Sequence, residues 1–468
     1  MNNTVYTPEE PIAAIATALA PAALGIVRCS GKNCIELLAK AFSRPTILLN
    51  AQGNTIVYGW IVDSSSNPAK KIDEVLVSVF RSPRSFTGED MVEISCHGGP
   101  AVVTEIFRLL TTIGFRPANP GEFTFRSFIN GKSDLTQAEA VQEIISAKTN
   151  ESATRAAGRL AGNLYERIDS LKADLVAVLA SLEAEIEYPE DEETIADAFD
   201  DTELRSVKQD LSALCDSWTS EKLYQDGARI ILCGRTNAGK SSLFNTLLKE
   251  DRAIVSDIHG TTRDWIESWV SFEGIPARLF DTAGLRQTDD VIEQHGLRRT
   301  LDLTEDADLM IYVVDSSVGL TEEDVEFLQK AKHPVVLVFN KCDIAQESIQ
   351  KTKEAIQKKK IPLADSVLLS AKTGEGVETL VKSVCKTLTL ASATDRNLPG
   401  LGSARQKQCA HNALESVEHG LAVAAQGYTL DAVVQDIEDA IDSLGEITGS
   451  ITPEDILDTV FSKFCLGK

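Results

Sequence analysis

The run Gly234-Arg235-Thr236-Asn237-Ala238-Gly239-Lys240-Ser241 fits Gly-x-x-x-x-Gly-Lys-Ser/Thr and constrains this chain more than any other stretch. It follows an apolar run, Ile230-Ile231-Leu232, and opens a helical pattern at Ser242-Leu243-Phe244-Asn245. Strand, glycine turn and helix in that order make a phosphate cradle. Backbone N–H groups wrap the anion, Lys240 reaches the terminal oxygens, and Ser241 offers a hydroxyl to Mg²⁺. From Ala228 to about Leu388 short apolar runs (Leu309–Val314, Val335–Phe339, Val367–Leu369) alternate with helical stretches. That alternation predicts βαβ units around a largely parallel sheet.

Further motifs follow the cradle in order. Asp281-Thr282-Ala283-Gly284 ends the apolar run Ala277–Phe280; its Asp suits Mg²⁺ and the Gly284 amide a γ-phosphate. Gly260-Thr261-Thr262-Arg263-Asp264 lies between, where a switch loop closes and a threonine hydroxyl can join Mg²⁺. Asn340-Lys341-Cys342-Asp343 comes directly after a strand. A carboxylate at Asp343 accepts hydrogen bonds from guanine N1–H and the 2-amino group, and adenine offers neither. Ser370-Ala371-Lys372 can place an amide on guanine O6. The motifs therefore select GTP over ATP. Where Ras-like proteins carry a water-orienting glutamine, this chain has Leu285, which neither donates nor accepts. Arg263 or Arg286 as a finger, a cation beside Asn237, and Glu293 as a water-orienting group all stay open.

The net charge of −24 argues against a protein that grips RNA by neutralising phosphates; any RNA must meet a local basic patch or a partner. No apolar run reaches the roughly 18 residues that span a bilayer. The N-terminus lacks a basic segment before its apolar one and contains Pro8 and Pro11, so a cytoplasmic protein without a secretory signal is expected. Nine cysteines without a Cys-x-x-Cys pair read as reduced thiols, and six histidines form no zinc pattern.

The organisation expected is α/β plus α, in four segments. Residues 1–131 read as an α/β domain with strands at Leu24–Val27, Thr55–Val62, Val75–Phe80 and Met91–Cys96 and a helix at Val102–Leu110. Residues 132–226 and 391–468 read as two parts of one helical domain, with the nucleotide domain, 227–390, inserted between them. The first helical part is interrupted once, at Tyr188-Pro189 and the acidic Glu190–Glu193. A last helix is expected to start with Thr452 capping, Pro453 in the first turn and Asp455 closing a capping box. His97-Gly98-Gly99 reads as a strand-ending turn.

Gly234–Ser242, Gly260–Asp264 and Asp281–Arg286 closely resemble the MnmE (TrmE) family of tRNA modification GTPases. So do Thr87–Asp90, His97–Pro100, Pro120–Thr124 and the terminal Phe464-Cys465-Leu466-Gly467-Lys468, and the resemblance spans essentially the whole chain. It implies a homodimeric, K⁺-stimulated Ras-like GTPase with Mg²⁺ on Ser241 and Thr262. It further implies K⁺ on the Asn237 side chain and on carbonyls of the Ser256–Thr261 loop, at Ser256, Ile258 and Thr261. Nucleotide contacts would come from Asn237, Ala238, Gly239, Lys240, Ser241 and Ser242, and from Ser256, Asp257, Ile258, His259, Gly260, Thr261 and Thr262. Asp281, Thr282, Ala283, Gly284, Asn340, Lys341, Asp343, Ser370, Ala371 and Lys372 complete that set. Glu293 matches the family's water-positioning glutamate, acting with Lys240 and Asn237. The N-terminal domain would bind a folate one-carbon donor of the 5-formyl-tetrahydrofolate type through Arg28, Glu89, Lys132 and Lys468. An FAD-dependent MnmG (GidA) partner, together making a heterotetramer, would help add carboxymethylaminomethyl-type groups to the wobble uridine of certain tRNAs.

Thr236 stands where proline is common and His259 where a small residue or proline is frequent; neither removes a ligand. Cys465 allows a redox or nucleophilic role and a packing role; Gly467 and Lys468 fit a prenylation box poorly. Two other functions compete with tRNA modification: a ribosome-assembly GTP switch and a regulatory scaffold.

Overall fold

The N-terminal segment forms strands β1 (Ile12–Ile15), β2 (Leu24–Ser30), β3 (Thr55–Asp63), β4 (Lys70–Phe80), β5 (Met91–His97) and β6 (Arg116–Pro117), of which β2 to β5 carry the apolar runs read from sequence. Helices α1 (Cys34–Ala39), α2 (Pro45–Leu49), α3 (Pro100–Ile113) and α4 (Glu122–Ile129) lie among them. The structure, a computed structural model, describes residues 10–65, 68–187, 201–249, 266–281, 307–344, 361–389, 400–426, 430–451, 453–465 and 467. The chain divides into two compact units, one of Met1–Gln142, Leu160–Lys172 and Glu438–Lys468, the other of Glu143–Arg159 and Ala173–Ile437.

In the first unit the strand order is β3-β4-β5-β2-β1-β6. All neighbours are antiparallel except β1 and β6. One face is a core: Val75, Val77 and Val79 alternate inward along β4 and meet Ile35, Ile106 and Leu110 from α1 and α3. Burying each such side chain contributes about 1.5–3 kcal/mol. Helix α3 begins with Pro100 in its first turn and ends at Gly114, whose φ of +119° suits glycine. The other face carries Arg28 and Glu93, which sit opposite each other in the β2–β5 register.

Helices α5 (Leu135–Ser146), α6 (Asn150–Leu160), α7 (Asn163–Glu187) and α8 (Thr202–Asp226) follow. The nucleotide segment contains β7 (Ala228–Gly234), α9 (Lys240–Lys249), β8 (Ile266–Phe272), β9 (Ile275–Asp281), β10 (Leu309–Asp315), α10 (Glu322–Gln329), β11 (Val335–Asn340), β12 (Asp365–Leu368) and α11 (Val377–Thr389). Helices α12 (Ala404–Ala425), α13 (Leu430–Thr448) and α14 (Glu454–Phe461) complete the chain.

The second sheet has the order β12-β11-β10-β7-β9-β8 and is parallel apart from the β8–β9 hairpin. Strands β10 and β11 are apolar on both faces, as a covered parallel sheet requires. Leu309, Ile311 and Val313 enter one core with Leu243 and Leu380; Met310, Tyr312 and Val314 enter the other with Val325 and Leu328. From β7 the chain builds first to one side, then to the other. The crevice at its carboxyl end is therefore the place where this sheet type binds ligands.

Within this unit the helices before and after the nucleotide segment pack together: Lys208 of α8 pairs with Glu418 of α12 at 3.1 Å. The Ser217 hydroxyl accepts from the Leu401 amide at 3.2 Å. Buried Arg159 bridges Glu221, at 2.7 Å, and Glu143.

The first helical part is interrupted more often than expected. Breaks fall between α5 and α6 and between α6 and α7, where Gly162 takes φ +101°. Strand β1 escapes notice because Ile-Ala-Ala-Ile lacks polar alternation and holds its place by pairing with β2 and β6. β6 is too short to show a period, and β8 is also unread from sequence because Glu267-Ser268 and Trp269-Val270 break the alternation. Helix α14 starts at Glu454, directly after Pro453. Thr452 and the acidic Glu190–Glu193 lie outside the described residues. Among the described residues no helix is long and apolar enough to cross a membrane.

Candidate nucleotide site

The loop after β7 turns because Gly234 takes φ +135° and Gly239 φ +97°. A Cβ at either would overlap the Val313 carbonyl or the Asn340 side-chain amide, so glycine is required at both. Asn237 also adopts a left-handed conformation, φ +63°, and its residue is exposed on the loop. Lys240 opens α9 and is buried; its Nζ donates to the carbonyls of Gly234 and Arg235, both at 2.8 Å. That pose puts an ammonium inside the cradle. The Ser241 hydroxyl donates to Asp281 Oδ2 at 2.9 Å, and Asp281 is buried at the end of β9. A hydroxyl beside a carboxylate is a hard-oxygen pair of the kind that holds hydrated Mg²⁺, so these residues fit that ion.

Asn340 ends β11 and ties three segments together. Its amide Nδ2 donates to the Ala238 carbonyl at 2.8 Å. Its Oδ1 accepts from the amides of Lys341 at 2.8 Å and Ala371 at 2.9 Å. Lys341, at φ +63°, donates from Nζ to the Asn237 carbonyl at 2.9 Å and pairs with Asp315 at 2.6 Å. Burial pushes the Asp315 carboxyl upward, but Lys341 and the Ser317 hydroxyl and amide outweigh it and hold it below the usual carboxylate range. Asp343 is exposed, one turn beyond this clasp. Ser370 is buried, and its oxygens accept from the amides of Thr373 and Gly374 at 3.3 and 2.9 Å. Lys372 is exposed beside it. Asn237, Lys240, Ser241, Asp281, Asn340, Lys341 and Ala371 are thus brought to the carboxyl edge of one sheet. Ser242, Ala238, Gly239 and Ser370 flank them. Ser256–Thr262, Thr282–Gly284 and Glu293 lie outside the described residues, as do Arg263, Leu285 and Arg286.

A second polar cluster sits on the outer face of the first sheet. Arg28 donates to Glu93 Oε1 from Nε at 2.9 Å and from NH2 at 2.7 Å. Its guanidinium lies 5.4 and 5.6 Å from the ring centres of Phe86 and Phe123. Two residues along β2, the Ser30 hydroxyl donates to Glu89 at 2.8 Å. Glu89 also accepts from Arg126 at 3.0 Å. Arg126 pairs in turn with fully buried Glu122, at 2.9 Å, and Glu122 with Arg116, at 2.5 Å. Lys132 is exposed and its stem passes over Gly88: a Cβ there would lie 3.3 Å from Lys132 Cγ. The C-terminal tail reaches the same place. Arg28 donates to the Gly467 carbonyl at 3.3 Å, and the Cys465 carbonyl accepts from the Gly121 amide at 3.5 Å. Cys465 alone among the nine thiols is exposed. Lys468 lies outside the described residues. Sequence reading missed Glu93, Ser30 and Arg126, and it assigned no role to Glu122 within the Pro120–Thr124 run. The one available signal was the i,i+4 spacing of Glu122 and Arg126.

A crevice of this make, with its base-reading run tied back onto the phosphate loop, belongs to the P-loop guanine-nucleotide-binding proteins. A family model described as the MnmE helical domain matches residues 135–465, and one described as the GTP-binding protein TrmE N-terminus matches residues 11–132. The chain is 50% identical to the tRNA modification GTPase MnmE of Treponema denticola over 471 aligned residues, 99% of each chain. It is 41% identical to that of Treponema pallidum over 99% of each, and 39% identical to that of Borrelia turicatae over all of both. The crystal structure of Aquifex aeolicus Era bound to GDP and aluminium fluoride matches 40% of this chain and 66% of that one, at 24% identity and a TM-score of 0.29. The chain belongs to the MnmE family of tRNA modification GTPases.

Proposed function

We propose that this protein hydrolyses GTP to GDP and phosphate, stimulated by K⁺ and by dimerisation across the nucleotide face. It would act with an FAD-dependent MnmG (GidA)-type partner to add carboxymethylaminomethyl-type groups at C5 of the wobble uridine of certain tRNAs. The observation that carries this reading is the presence, in one chain of this family, of a phosphate loop clasped by Asn340 and Lys341 and of a charged cluster built on Arg28 and Glu89. Relatives spanning the full chain are named for tRNA modification, which supports the same substrate class here. The domain division proposed is 1–131, 132–226, 227–390 and 391–468.

In the nucleotide site, Lys240 exchanges its carbonyl partners for phosphate oxygens, and the loop amides from Asn237 to Ser242 complete the cradle. Asp343 reads the guanine edge while Asn340 and Lys341 hold the loop beneath it. Ser241, with Thr262 and Asp281, holds Mg²⁺; Asn237, with Ser256, Ile258 and Thr261, holds K⁺. When bound, the two cations neutralise negative charge developing on the phosphate oxygens. Glu293 orients the attacking water, which Leu285 cannot do.

In the second cluster, Arg28, Lys132 and Lys468 suit the carboxylates of a 5-formyl-tetrahydrofolate tail, and Glu89 suits the donor edge of its pterin. Arg28 is already aimed by Glu93 and flanked by Phe86 and Phe123, so little side-chain entropy is lost on binding. Equilibrium dialysis with 5-formyl-tetrahydrofolate tests this: binding is expected, and Arg28→Ala should weaken it at least about tenfold, the loss of one charge-assisted contact. No binding, or binding indifferent to Arg28, overturns the folate assignment. Mass analysis of tRNA nucleosides from cells lacking the protein tests the larger reading. The modified wobble uridine should disappear, and its full retention would remove tRNA modification as the function.

A further inference from the structure

Strand β10 ends at Asp315, which belongs to none of the nucleotide motifs, yet both of its carboxylate oxygens are committed. Oδ1 accepts from the Ser317 amide at 2.9 Å and from the Ser317 hydroxyl at 2.6 Å. Oδ2 accepts from Lys341 Nζ at 2.6 Å. The same Nζ donates to the Asn237 carbonyl at 2.9 Å. Both Lys341 and Asn237 sit at φ +63°, a left-handed conformation that asparagine tolerates but that lysine keeps at a cost its surroundings must offset. The pair is partly screened from water, with side-chain exposures of 35% for Lys341 and 17% for Asp315.

Turn capping alone would need only Oδ1, because the Ser317 contacts close the turn after β10. The second oxygen points across to the base-reading run, where it fixes the direction of a long, flexible ammonium side chain. A fixed Nζ holds the Asn237 carbonyl, and the held carbonyl sets the direction of the Asn237 side chain on the phosphate loop. We infer that Asp315 is a positioning residue of the nucleotide site, acting through Lys341 on two functions, nucleotide retention and the monovalent-cation response of Asn237. The second function rests on the K⁺ reading proposed above; the first does not.

The test is Asp315→Asn in the full-length protein. The amide keeps an acceptor for Ser317 and so keeps the turn, while the ion pair with Lys341 is lost. Two readouts are taken: dissociation of a fluorescent GDP in Mg²⁺, and the K⁺ concentration giving half-maximal GTP turnover. GDP release should accelerate about tenfold, and the half-maximal K⁺ should rise several-fold with a smaller change in turnover at saturating K⁺. Asp315→Glu should recover part of both. Wild-type GDP release and K⁺ response in Asp315→Asn would leave Asp315 a turn cap and overturn the inference. If unmodified protein turns over GTP equally in K⁺ and Na⁺, the cation reading fails, and GDP release alone then decides on Asp315. Should Asp315→Asn not fold, Ser317→Ala loosens the same carboxylate. It should speed GDP release in the same direction, and unchanged release would again overturn the assignment.

Discussion

Asn340 commits its side-chain oxygen and one amide hydrogen to the protein, holding Ala238, Lys341 and Ala371, and the base-reading role proposed for its tetrapeptide falls to the carboxylate of Asp343. Asp343→Asn replaces an acceptor with a group that presents a donor to two guanine donors. Binding of GTP should weaken by about 2–3 kcal/mol, roughly 30- to 150-fold, and preference should move toward a xanthine nucleotide, whose 2-oxo group accepts. Competitive binding of GTP and XTP measures this, and unchanged guanine preference would refute the base-reading role. The residues of this site were legible where a local run carries the chemistry: Lys240, Ser241, Asn340 and Asp343 announce themselves by order and spacing. Asp315 and Glu93 did not. Asp315 lies 26 positions from Lys341, and Glu93 lies 65 from Arg28, so only sheet topology brings each pair together.

At the scale of elements, β10 and β11 were readable because a strand covered on both faces must be apolar throughout, whereas β1, β6 and β8 owe their strand form to neighbours. Helix α4 shows how an element can be fixed by charge. Its Glu122 is fully buried; burial alone would raise its carboxyl, but Arg116, the Asn119 amide and Arg126 outweigh that and lower it. The sign follows. A carboxyl lowered in the folded state contributes stability above its unfolded value, about 4.3, and loses that contribution as pH falls through the folded value. Glu122→Gln should therefore cost about 3–5 kcal/mol at neutral pH, as removal of one partner from a buried pair does. The difference from the unaltered protein should narrow in acid. Denaturant unfolding at neutral and acid pH measures it, and a difference independent of pH would contradict the assignment.

On the whole molecule, the net charge of −24 and the family's RNA substrate are reconciled under the proposed division of labour, in which a partner holds most of the tRNA and this chain turns over GTP. The C-terminal tail illustrates what sequence order conceals. Gly467 meets Arg28 within one unit although the two lie 439 positions apart. No composition or periodicity announces that contact, and only the resemblance pointed to it. GTP turnover as proposed depends on a guanine nucleotide cradled by Lys240, and its salt response on a cation beside Asn237. The direct measurement is phosphate release by the purified protein with Mg²⁺, comparing GTP with ATP and K⁺ with Na⁺. Turnover of GTP alone, markedly faster in K⁺, and loss of that salt difference in Asn237→Ala are the expected results. Equal cleavage of ATP, or no cleavage of GTP under K⁺ and Mg²⁺, would contradict the account.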